Sequence, residues 1–267
     1  MLFPFYALAA VIAAVICVLF ALPWPDWLWW FCAAFVAALV ALAVLYVLML
    51  AVLSLFVNTK KERERPNWLY SRVVYLSMGL LSSVCGVRAR LEGEALIPRG
   101  TRWLFVSNHR SNFDPIVEGW LLRKHEMVFI SKPSNLRLPM VGRLLHEAMY
   151  MAIDRENNRE ALKTIIKATN TLKNGVCSVG IYPEGTRNRG EGLLPFRSGA
   201  LKAAQKAQVP IVVGCINGSE KIARRAPFRR TEVTVKICGV IPAEETAADN
   251  TVEMSERARE MILAELR

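Results

Sequence analysis

The sequence predicts an α/β protein with a mixed, mainly parallel sheet flanked by helices, preceded by a two-helix transmembrane hairpin. Two observations lead to this fold class. Residues 1–57 are almost free of charge and contain two long apolar runs. From Val87 onward, short apolar runs typical of buried strands alternate with stretches of helical periodicity. We therefore expect an anchor at 1–57, a basic linker with an interfacial amphipathic helix at 58–90, and a folded domain at 91–267.

The hairpin prediction depends on two uncharged runs, Leu2 to Leu22 and Trp27 to Val57, which are each long enough to cross a bilayer. The break Pro23-Trp24-Pro25-Asp26 separates them, because proline cannot continue a helix. Four basic residues follow the second run: Lys60, Lys61, Arg63 and Arg65. Basic flanks stay cytoplasmic, so both ends of the hairpin should lie on that side. A cleaved signal peptide is the alternative, but the leader lacks the basic start of one.

The segment from Pro66 to Val87 is a third apolar stretch. Its apolar residues recur at helical spacing, with Arg72, Ser82 and Ser83 off that face. We expect a helix that lies in the membrane interface. A third membrane span is the alternative, and it would move the rest of the chain to the other side of the bilayer.

Charge and cysteine content limit the classes of partner and site. The 210 residues after Val57 carry all 34 Lys and Arg and 22 of the 23 acidic residues, a net formal charge of +12. Such a surface suits anionic lipid, a phosphorylated ligand or nucleic acid, and charge alone does not choose among them. The six cysteines are scattered without a C-x-x-C pair, which indicates buried, reduced thiols and argues against a disulfide framework or a zinc site.

The folded domain is predicted to contain six strands and three helices after Val87. The strands are expected at 103–106, 127–130, 149–153, 179–182, 210–215 and 232–240, and the helices at 157–173, at 198–207 and from 251 onward. Ligands of parallel sheets bind at the carboxyl ends of the strands. The residues that follow each strand are therefore the first candidates for a functional site.

His109 is the strongest candidate for chemistry. The chain has no G-x-S-x-G elbow, Walker loop, G-x-G-x-x-G or H-E-x-x-H motif. His109 follows the strand at 103–106 after two further residues, and Asp114 stands five residues later before Pro115, where it is expected to be the helix N-cap. A carboxylate on one imidazole nitrogen leaves the other free as a base. The alternative is that Asp114 only caps the helix and His109 is an ordinary loop residue.

Several arginines also follow predicted strands. Arg155 comes after the strand at 149–153, and Arg187, Arg189 and Arg197 follow the strand at 179–182. Arginines that converge at strand ends can hold a phosphate through bidentate hydrogen bonds. Each of them taken singly is more often a solvated surface charge.

Four blocks in this order resemble the glycerolipid acyltransferases of the 1-acyl-sn-glycerol-3-phosphate type, the lysophosphatidate acyltransferases. The N-H-x-x-x-x-D block stands at 108–114, the I-D-R block ends at Arg155, the E-G-T-R block stands at 184–187, and V-P-I-V stands at 209–212. Together they cover roughly 87–240. Lys132 matches the family's lysine after the second strand, but Ser134 and Asn135 replace its Glu and Leu. This departure bears on the choice of acceptor more than on the chemistry.

The resemblance implies an acyltransferase domain at 91–267 that converts 1-acylglycerol 3-phosphate (lysophosphatidic acid) to phosphatidic acid in phospholipid synthesis. It implies that His109 is the base, oriented by Asp114. The expected substrate-binding residues are Lys132, Arg155, Glu184, Gly185, Thr186 and Arg187. The donor is expected to be acyl-CoA or acyl-acyl carrier protein, with no metal or cofactor. Membrane lipid is an expected partner and nucleic acid is not.

The resemblance also implies a multi-pass membrane protein, with its catalytic domain on the cytoplasmic face of a bacterial inner membrane. Two rival functions stay open at this point. One is acylation of another lysophospholipid or of glycerol 3-phosphate. The other is a membrane-anchored protein whose basic surface binds anionic lipid without turnover.

Overall fold

The computed structural model describes residues 2–20 and 26–266, and it divides the chain into two compact units, Met1–Val57 and Asn58–Arg267. The first unit contains helices α1 (Phe3–Leu19) and α2 (Asp26–Leu55). They lie side by side and run in opposite directions, because the Tyr6 ring meets the Phe35 ring while Cys17 meets the Trp27 carbonyl. By length and composition α2 could cross a membrane, and α1 is a shorter apolar helix. The predicted Pro23-Trp24-Pro25 break lies outside the described residues.

The second unit is built on a seven-stranded sheet with the order β1-β7-β6-β2-β5-β3-β4. The strands are β1 (Val87–Glu92), β2 (Leu104–Ser107), β3 (Met127–Ser131), β4 (Met151–Ala152), β5 (Ser178–Ile181), β6 (Ile211–Asn217) and β7 (Thr231–Ile241). Only the pairing of β6 with β7 is antiparallel. The mixed, mainly parallel sheet is therefore confirmed.

Helices cover this sheet. They are α3 (Trp68–Val84), α4 (Asp114–Leu121), α5 (Pro133–Leu136), α6 (Val141–Glu147), α7 (Asn158–Lys173), α8 (Lys202–Ala207), α9 (Ile222–Arg225), α10 (Ala243–Ala248) and α11 (Thr251–Leu263). Every residue of β2 and β5 is buried, as expected for parallel strands covered on both faces. The α7 helix shows how local sequence sets its bounds, because the Asn157 side chain caps its start and Gly175 follows its end with a φ of +64°.

The predicted strands match β2 to β7 within a few residues, with two differences. Strand β1 was not predicted, because the alternation in Val87–Glu92 places charged residues on one side of a strand at the edge of the sheet. Strand β4 has two residues instead of the predicted five, because the chain leaves α6 through a left-handed turn at Met149, with φ of +66°. The helix predicted at 198–207 is a 3-10 turn at Ser198–Ala200 followed by α8.

Helix α3 forms within the segment predicted to be an interfacial helix. Most of its apolar face, including Val73, Val74 and Met78, is buried, and the helix packs against α4, α6 and β1. Part of the predicted face, Leu81 and Val84, is exposed. The role of α3 at a membrane surface stays a prediction. The six cysteines are free, but only Cys177 and Cys215 are buried, so the prediction of buried thiols was wrong for Cys32, which is exposed.

Candidate active site

The candidate site lies at the carboxyl ends of the parallel strands. The segment that carries His109 leaves β2, which lies between β6 and β5. The side chain of Asn108 fixes this exit: its amide donates to the Ile216 carbonyl at 2.9 Å and its oxygen accepts from the Ile216 N–H at 2.7 Å. The buried Asn108 side chain thus extends the hydrogen bonding between β2 and β6 beyond the end of β2. The ring that follows is held at a defined place on the sheet edge.

His109 and Asp114 are in contact. Nδ1 of His109 lies 2.8 Å from Oδ2 of Asp114, whose side chain is fully buried, while 15% of the His109 side chain is exposed. Because a carboxylate only accepts hydrogen bonds, the proton belongs on Nδ1. No hydrogen bond joins Nε2 to any residue within 2–20 or 26–266. The free lone pair on Nε2 is the arrangement that a general base requires.

The prediction that Asp114 is the N-cap of the following helix was wrong by one residue. Asp114 is the first residue of α4, Phe113 stands at the cap position, and no side chain caps the helix. The Asp114 carboxylate turns back instead and accepts from the N–H groups of Arg110 and Ser111 at 2.7 and 2.8 Å. These two bonds fix the loop that carries His109. Asp114 therefore orients the ring directly and also shapes the backbone around it.

A buried layer of Tyr182, Glu118 and Ser107 lies behind the ring. The ring of Tyr182 stacks on His109, with centroids 4.3 Å apart and an angle of 14° between the planes. The Tyr182 hydroxyl and the Ser107 hydroxyl each bond Glu118 at 2.6 Å. Burial, together with the negative charge of Asp114, raises the pKa of Glu118 to about 8. The Glu118 carboxyl is therefore mostly neutral at pH 7.

This raised pKa predicts a dependence of stability on pH. Between pH 4.5, the ordinary value, and about pH 8, the folded protein keeps a proton on Glu118 that the unfolded chain releases. The free energy of unfolding should therefore fall as pH rises, by up to about 1.4 kcal/mol per pH unit from this group, and level off above pH 8. Glu118→Gln removes the titration. Thermal unfolding in detergent between pH 5 and 8 should show a smaller decline in Tm for this variant than for the wild type.

The control for this measurement is Glu232→Gln, since Glu232 is an exposed carboxylate, and its pH profile should follow the wild type. If the Glu118→Gln profile also ran parallel to the wild type, Glu118 would have no raised pKa in the folded protein.

Glu184 braces the His109 segment from the neighbouring strand β5. Its Oε1 accepts from the His109 N–H at 2.7 Å, and its Oε2 accepts from the Leu194 N–H at 2.9 Å. The Asn188 N–H also donates to the His109 carbonyl at 2.7 Å. Both oxygens of the buried Glu184 carboxylate are thus used within the protein. The contacts of Glu184 fix the loop at 184–197 against the loop that carries His109.

The absence of a side chain at Gly185 leaves room for the Arg197 side chain. The φ of Gly185 is +71°, and a Cβ built there would lie 2.9 Å from Nε of Arg197. Any larger residue would therefore be strained and would displace the Arg197 guanidinium. Burial lowers the pKa of Arg155, and the positive charge of Arg197 lowers it further. The structure thus brings Arg155 near Arg197, whereas the sequence analysis assigns Arg155 and Arg187 to the substrate.

These two arginines share a cavity of about 320 Å³ with Lys202. The other lining residues are uncharged, and many are apolar, among them Ile130, Ile153, Ile165 and Ile181. No carboxylate within residues 2–20 and 26–266 forms an ion pair with Arg155 or Arg197. A cavity with unpaired guanidinium groups and an apolar wall suits a ligand that has an anionic group and a hydrocarbon part. Tyr182 connects this cavity to His109, because it lines the first and stacks on the second.

The remaining predicted site residues are exposed and lie outside this cavity. Lys132 follows β3 and is exposed at the start of α5, and Thr186 and Arg187 are exposed in the loop after β5. None of these three lines the cavity that holds Arg155 and Arg197. Their roles in substrate binding stay predictions.

Sequence reasoning missed Glu118, Tyr182 and the cavity that Arg155 shares with Arg197. Glu118 stands four residues after Asp114 in a predicted helix, and this spacing places both carboxyls on one helix face. That signal could have found Glu118. Tyr182 was visible only as the end of a strand, and the position of Arg197 depends on the turn at Gly185, which the sequence pattern does not specify.

Comparisons with known proteins find similarity to acyltransferases in sequence and in fold. Residues 88–217 match the sequence profile of the family described as Acyltransferase. The chain is 29% identical over 184 residues to the 1-acyl-sn-glycerol-3-phosphate acyltransferase of Salmonella typhimurium, covering 69% of this chain and 75% of that protein. It is 31% identical over 159 residues to the protein of the same name from Escherichia coli, covering 60% and 64%. The fold is similar to the crystal structure of the 1-acyl-sn-glycerophosphate (LPA) acyltransferase PlsC from Thermotoga maritima, with a TM-score of 0.61, 22% identity and coverage of 73% and 77%.

Proposed function

We propose that this chain, whose residues 88–217 match the acyltransferase family, moves a fatty acyl group from a thioester donor to the free hydroxyl of 1-acylglycerol 3-phosphate. The product is phosphatidic acid, a precursor in phospholipid synthesis. The observation that carries the proposal is the contact of His109 with Asp114 at the carboxyl end of β2, with Nε2 of His109 left free. The arginine-lined cavity beside it supplies a place for a phosphorylated lipid.

The proposed mechanism of acyl transfer follows from the free Nε2 of His109. Nε2 of His109 takes the proton from the acceptor hydroxyl as the oxygen attacks the thioester carbonyl. Asp114 stabilises the imidazolium that forms and keeps the ring in its orientation. The new ester bond forms as the carbon–sulfur bond breaks, and the imidazolium returns the proton to the thiolate that leaves. The two substrates react directly, so no acyl group is attached to the protein.

The substrates are assigned to parts of the site by charge and polarity. The phosphate of the acceptor is placed between Arg155 and Arg197, because two unpaired guanidinium groups repel each other until an anion lies between them. The apolar wall of the same cavity accepts part of a hydrocarbon chain. Lys132, Thr186 and Arg187 are exposed outside the cavity, and we assign them to the outer part of the acceptor site. The donor is acyl-CoA or acyl-acyl carrier protein, and the transfer requires no metal or cofactor.

The membrane location is part of the proposal. Helix α2 is long and apolar enough to span a bilayer, and α1 runs antiparallel to it with 17 apolar or uncharged residues, at the short end of the spanning range. We assign the pair to a transmembrane hairpin with both ends cytoplasmic, because Lys60, Lys61, Arg63 and Arg65 follow it. The catalytic domain then lies on the cytoplasmic face, in a bacterial inner membrane.

Reporter fusions test this topology. A reporter that is active only in the periplasm should be active when fused at Asp26 and inactive when fused at Arg267, because the hairpin places these positions on opposite sides. A cytoplasmic reporter should give the reverse pattern. Cytoplasmic signals at both positions, or Asp26 in the cytoplasm with Arg267 in the periplasm, would contradict the hairpin. Periplasmic signals at both positions would instead support a third span at 66–87.

An acceptor panel separates the proposed function from its rivals. Purified full-length protein in detergent is given labelled acyl-CoA or acyl-acyl carrier protein together with 1-acylglycerol 3-phosphate, glycerol 3-phosphate or 1-acylglycerophosphocholine. We expect turnover with the first acceptor to exceed turnover with the other two. A preference for either of the others would change the acceptor assignment. Lipid binding without turnover on any acceptor, unchanged in His109→Ala, would favour a lipid-binding protein.

A further inference from the structure

The segment 224–230, here called the arginine loop, joins α9 to β7 and reads Arg-Arg-Ala-Pro-Phe-Arg-Arg. Phe228 at its tip is 94% exposed, so almost none of its apolar ring packs against the rest of the described chain. The four arginines around it, Arg224, Arg225, Arg229 and Arg230, are also exposed. None of them forms an ion pair with a carboxylate in the described part of the chain. The loop therefore presents four free positive charges around one apolar side chain.

The exposure of Phe228 is built into the fold. Beneath the loop, Ile222 is fully buried, and Ala226 packs against the apolar cluster that contains it. The N–H of Ala226 donates to the Ile222 carbonyl, and the N–H of Arg229 donates to the Arg225 carbonyl, both at 2.8 Å. These contacts hold the base of the loop. The chain is thus fixed on both sides of Phe228 in a form that directs the ring away from the core.

The arginine loop lies at the same end of the strands as His109, the carboxyl end of β2 and β6. It follows β6, which is the direct neighbour of the strand that leads to His109. Arg110, the next residue after His109, forms a 3.7 Å ion pair with Glu220 near the start of this connection. A membrane anchor at this loop would therefore hold the bilayer next to the strand ends where acyl transfer is proposed to occur.

The end of α3 extends the exposed apolar surface. Gly86, which follows α3, lies against the backbone of the arginine loop, with 3.4 Å from its Cβ position to the Arg229 carbonyl oxygen. In the last turns of α3, Leu81 is 43% exposed and Val84 is 52% exposed. Exposed apolar residues from two separate segments thus stand at the same edge of the sheet as the arginines.

We propose that the arginine loop is a membrane-docking element that inserts Phe228 into the interface of a bilayer containing anionic phospholipid. Guanidinium groups bind phosphate oxygens in bidentate geometry, and their stems remain in apolar surroundings while the charged ends reach the headgroups. Juxtamembrane arginines are attracted to an anionic leaflet, and an exposed apolar ring is favoured at the boundary between headgroups and acyl chains. Docking at this loop sets the active-site edge against the surface where the lipid acceptor resides. The inference rests on the proposed membrane location, and it adds a surface that this location does not require.

An acidic partner protein, such as an acyl carrier protein, could also meet four arginines. The observations favour lipid, because the ring at the tip is almost entirely exposed and the neighbouring end of α3 adds further apolar side chains instead of polar groups that a protein partner could hydrogen-bond. The experiments below separate the two partners.

Photo-crosslinking tests the contact itself. Phe228 is replaced by benzoylphenylalanine in the full-length protein, reconstituted in vesicles of phosphatidylglycerol and phosphatidylethanolamine. Illumination should attach phospholipid to position 228, detected by mass spectrometry. The matched control places the same group at Val252, which is 55% exposed and follows the opposite end of β7, where lipid should not attach. This readout needs no turnover, so it stands even if the proposed acceptor is wrong. Equal lipid labelling at both positions, or none at position 228, would overturn the proposal.

Kinetics test the consequence. The variant changes Arg224, Arg225, Arg229 and Arg230 to Gln, and turnover is measured as phosphatidylglycerol is raised from 0 to about half of the vesicle lipid. Each arginine near an anionic surface contributes about fivefold to membrane affinity, so the wild type should gain roughly tenfold or more in activity. The variant should show a flat response. Both proteins should act equally on a short-chain acceptor below its micelle concentration, because the active site itself is unchanged.

The control for charge removes an equal number of positive charges, four, at the amino ends of the parallel strands. Arg99, Lys124, Lys173 and Lys206 are exposed and stand in the segments that lead into β2, β3, β5 and β6. Their change to Gln should leave the response to anionic lipid as in the wild type. A lost response in this control alone would place the docking surface at the other edge and overturn the proposal. A loss in the arginine-loop variant with acyl carrier protein donors but not with acyl-CoA would assign the loop to a protein and overturn it as well.

Discussion

Replacement of His109 by alanine should lower kcat by a factor on the order of 10² to 10⁴, the usual contribution of a positioned general base. The physical reason is the free Nε2, which is held in place by the 2.8 Å contact of Nδ1 with Asp114 and by the stack on Tyr182. The KM for either substrate should change little, because the ring acts on the proton that moves in the transition state. The measurement is steady-state turnover with saturating donor and acceptor in detergent.

Two controls accompany this variant. His146→Ala removes a histidine outside the site, whose Nε2 contacts the Lys61 carbonyl, and it should keep nearly full activity. Thermal unfolding of His109→Ala should show a folded protein, since the side chain lies at the edge of the domain. A folded His109→Ala variant with wild-type kcat would exclude the proposed mechanism.

The second large effect is expected at the arginine pair. Arg155→Ala and Arg197→Ala should each raise the KM for 1-acylglycerol 3-phosphate by roughly tenfold or more, because a charge-assisted hydrogen bond contributes about 1.5–3 kcal/mol. The donor KM should change much less. Arg155→Lys should recover only part of the loss, since lysine lacks the planar fork that binds two phosphate oxygens.

The loop after β5 provides the matched comparison. Arg189→Ala removes an exposed arginine that does not line the cavity, so its acceptor KM should stay near that of the wild type. Arg187→Ala tests the residue that the family resemblance assigns to the same phosphate. A raised acceptor KM in Arg187→Ala but not in Arg197→Ala would place the phosphate at Arg187, outside the cavity. A loss confined to the donor KM would place these arginines on the phosphates of the donor.

The pair of His109 and Asp114 could be predicted from sequence because the information is local. A buried apolar run ends at Val106, shortly before His109. Pro115 marks the start of a helix, and the Asp114 carboxylate at this helix start, five residues after His109, reaches back to the ring. The exact role of Asp114 could not be predicted, because its carboxylate satisfies backbone N–H groups of the preceding loop instead of the helix start. The predicted cap position was therefore wrong by one residue, while the predicted contact between Asp114 and His109 is confirmed.

The phosphate clamp shows where local information ends. The arginines were recognised as strand-end residues, but which of them meet depends on the path of the loop from Glu184 to Arg197. That path is set by the left-handed turn at Gly185 and by the bonds from Glu184 to His109 and Leu194, which join residues ten or more positions apart. Strand β1 was missed for a related reason, since its pairing with β7 spans more than 140 positions of sequence.

The central claim is that this chain joins an acyl group to 1-acylglycerol 3-phosphate by direct transfer. The most direct measurement supplies purified full-length protein with an isotopically labelled acyl thioester and this acceptor, and follows phosphatidic acid by mass spectrometry and free thiol by a colorimetric reagent. We predict labelled phosphatidic acid and thiol in equal amounts, with almost no thiol released when the acceptor is left out. Thiol release without phosphatidic acid, or labelled acyl group retained on the protein, would contradict the account.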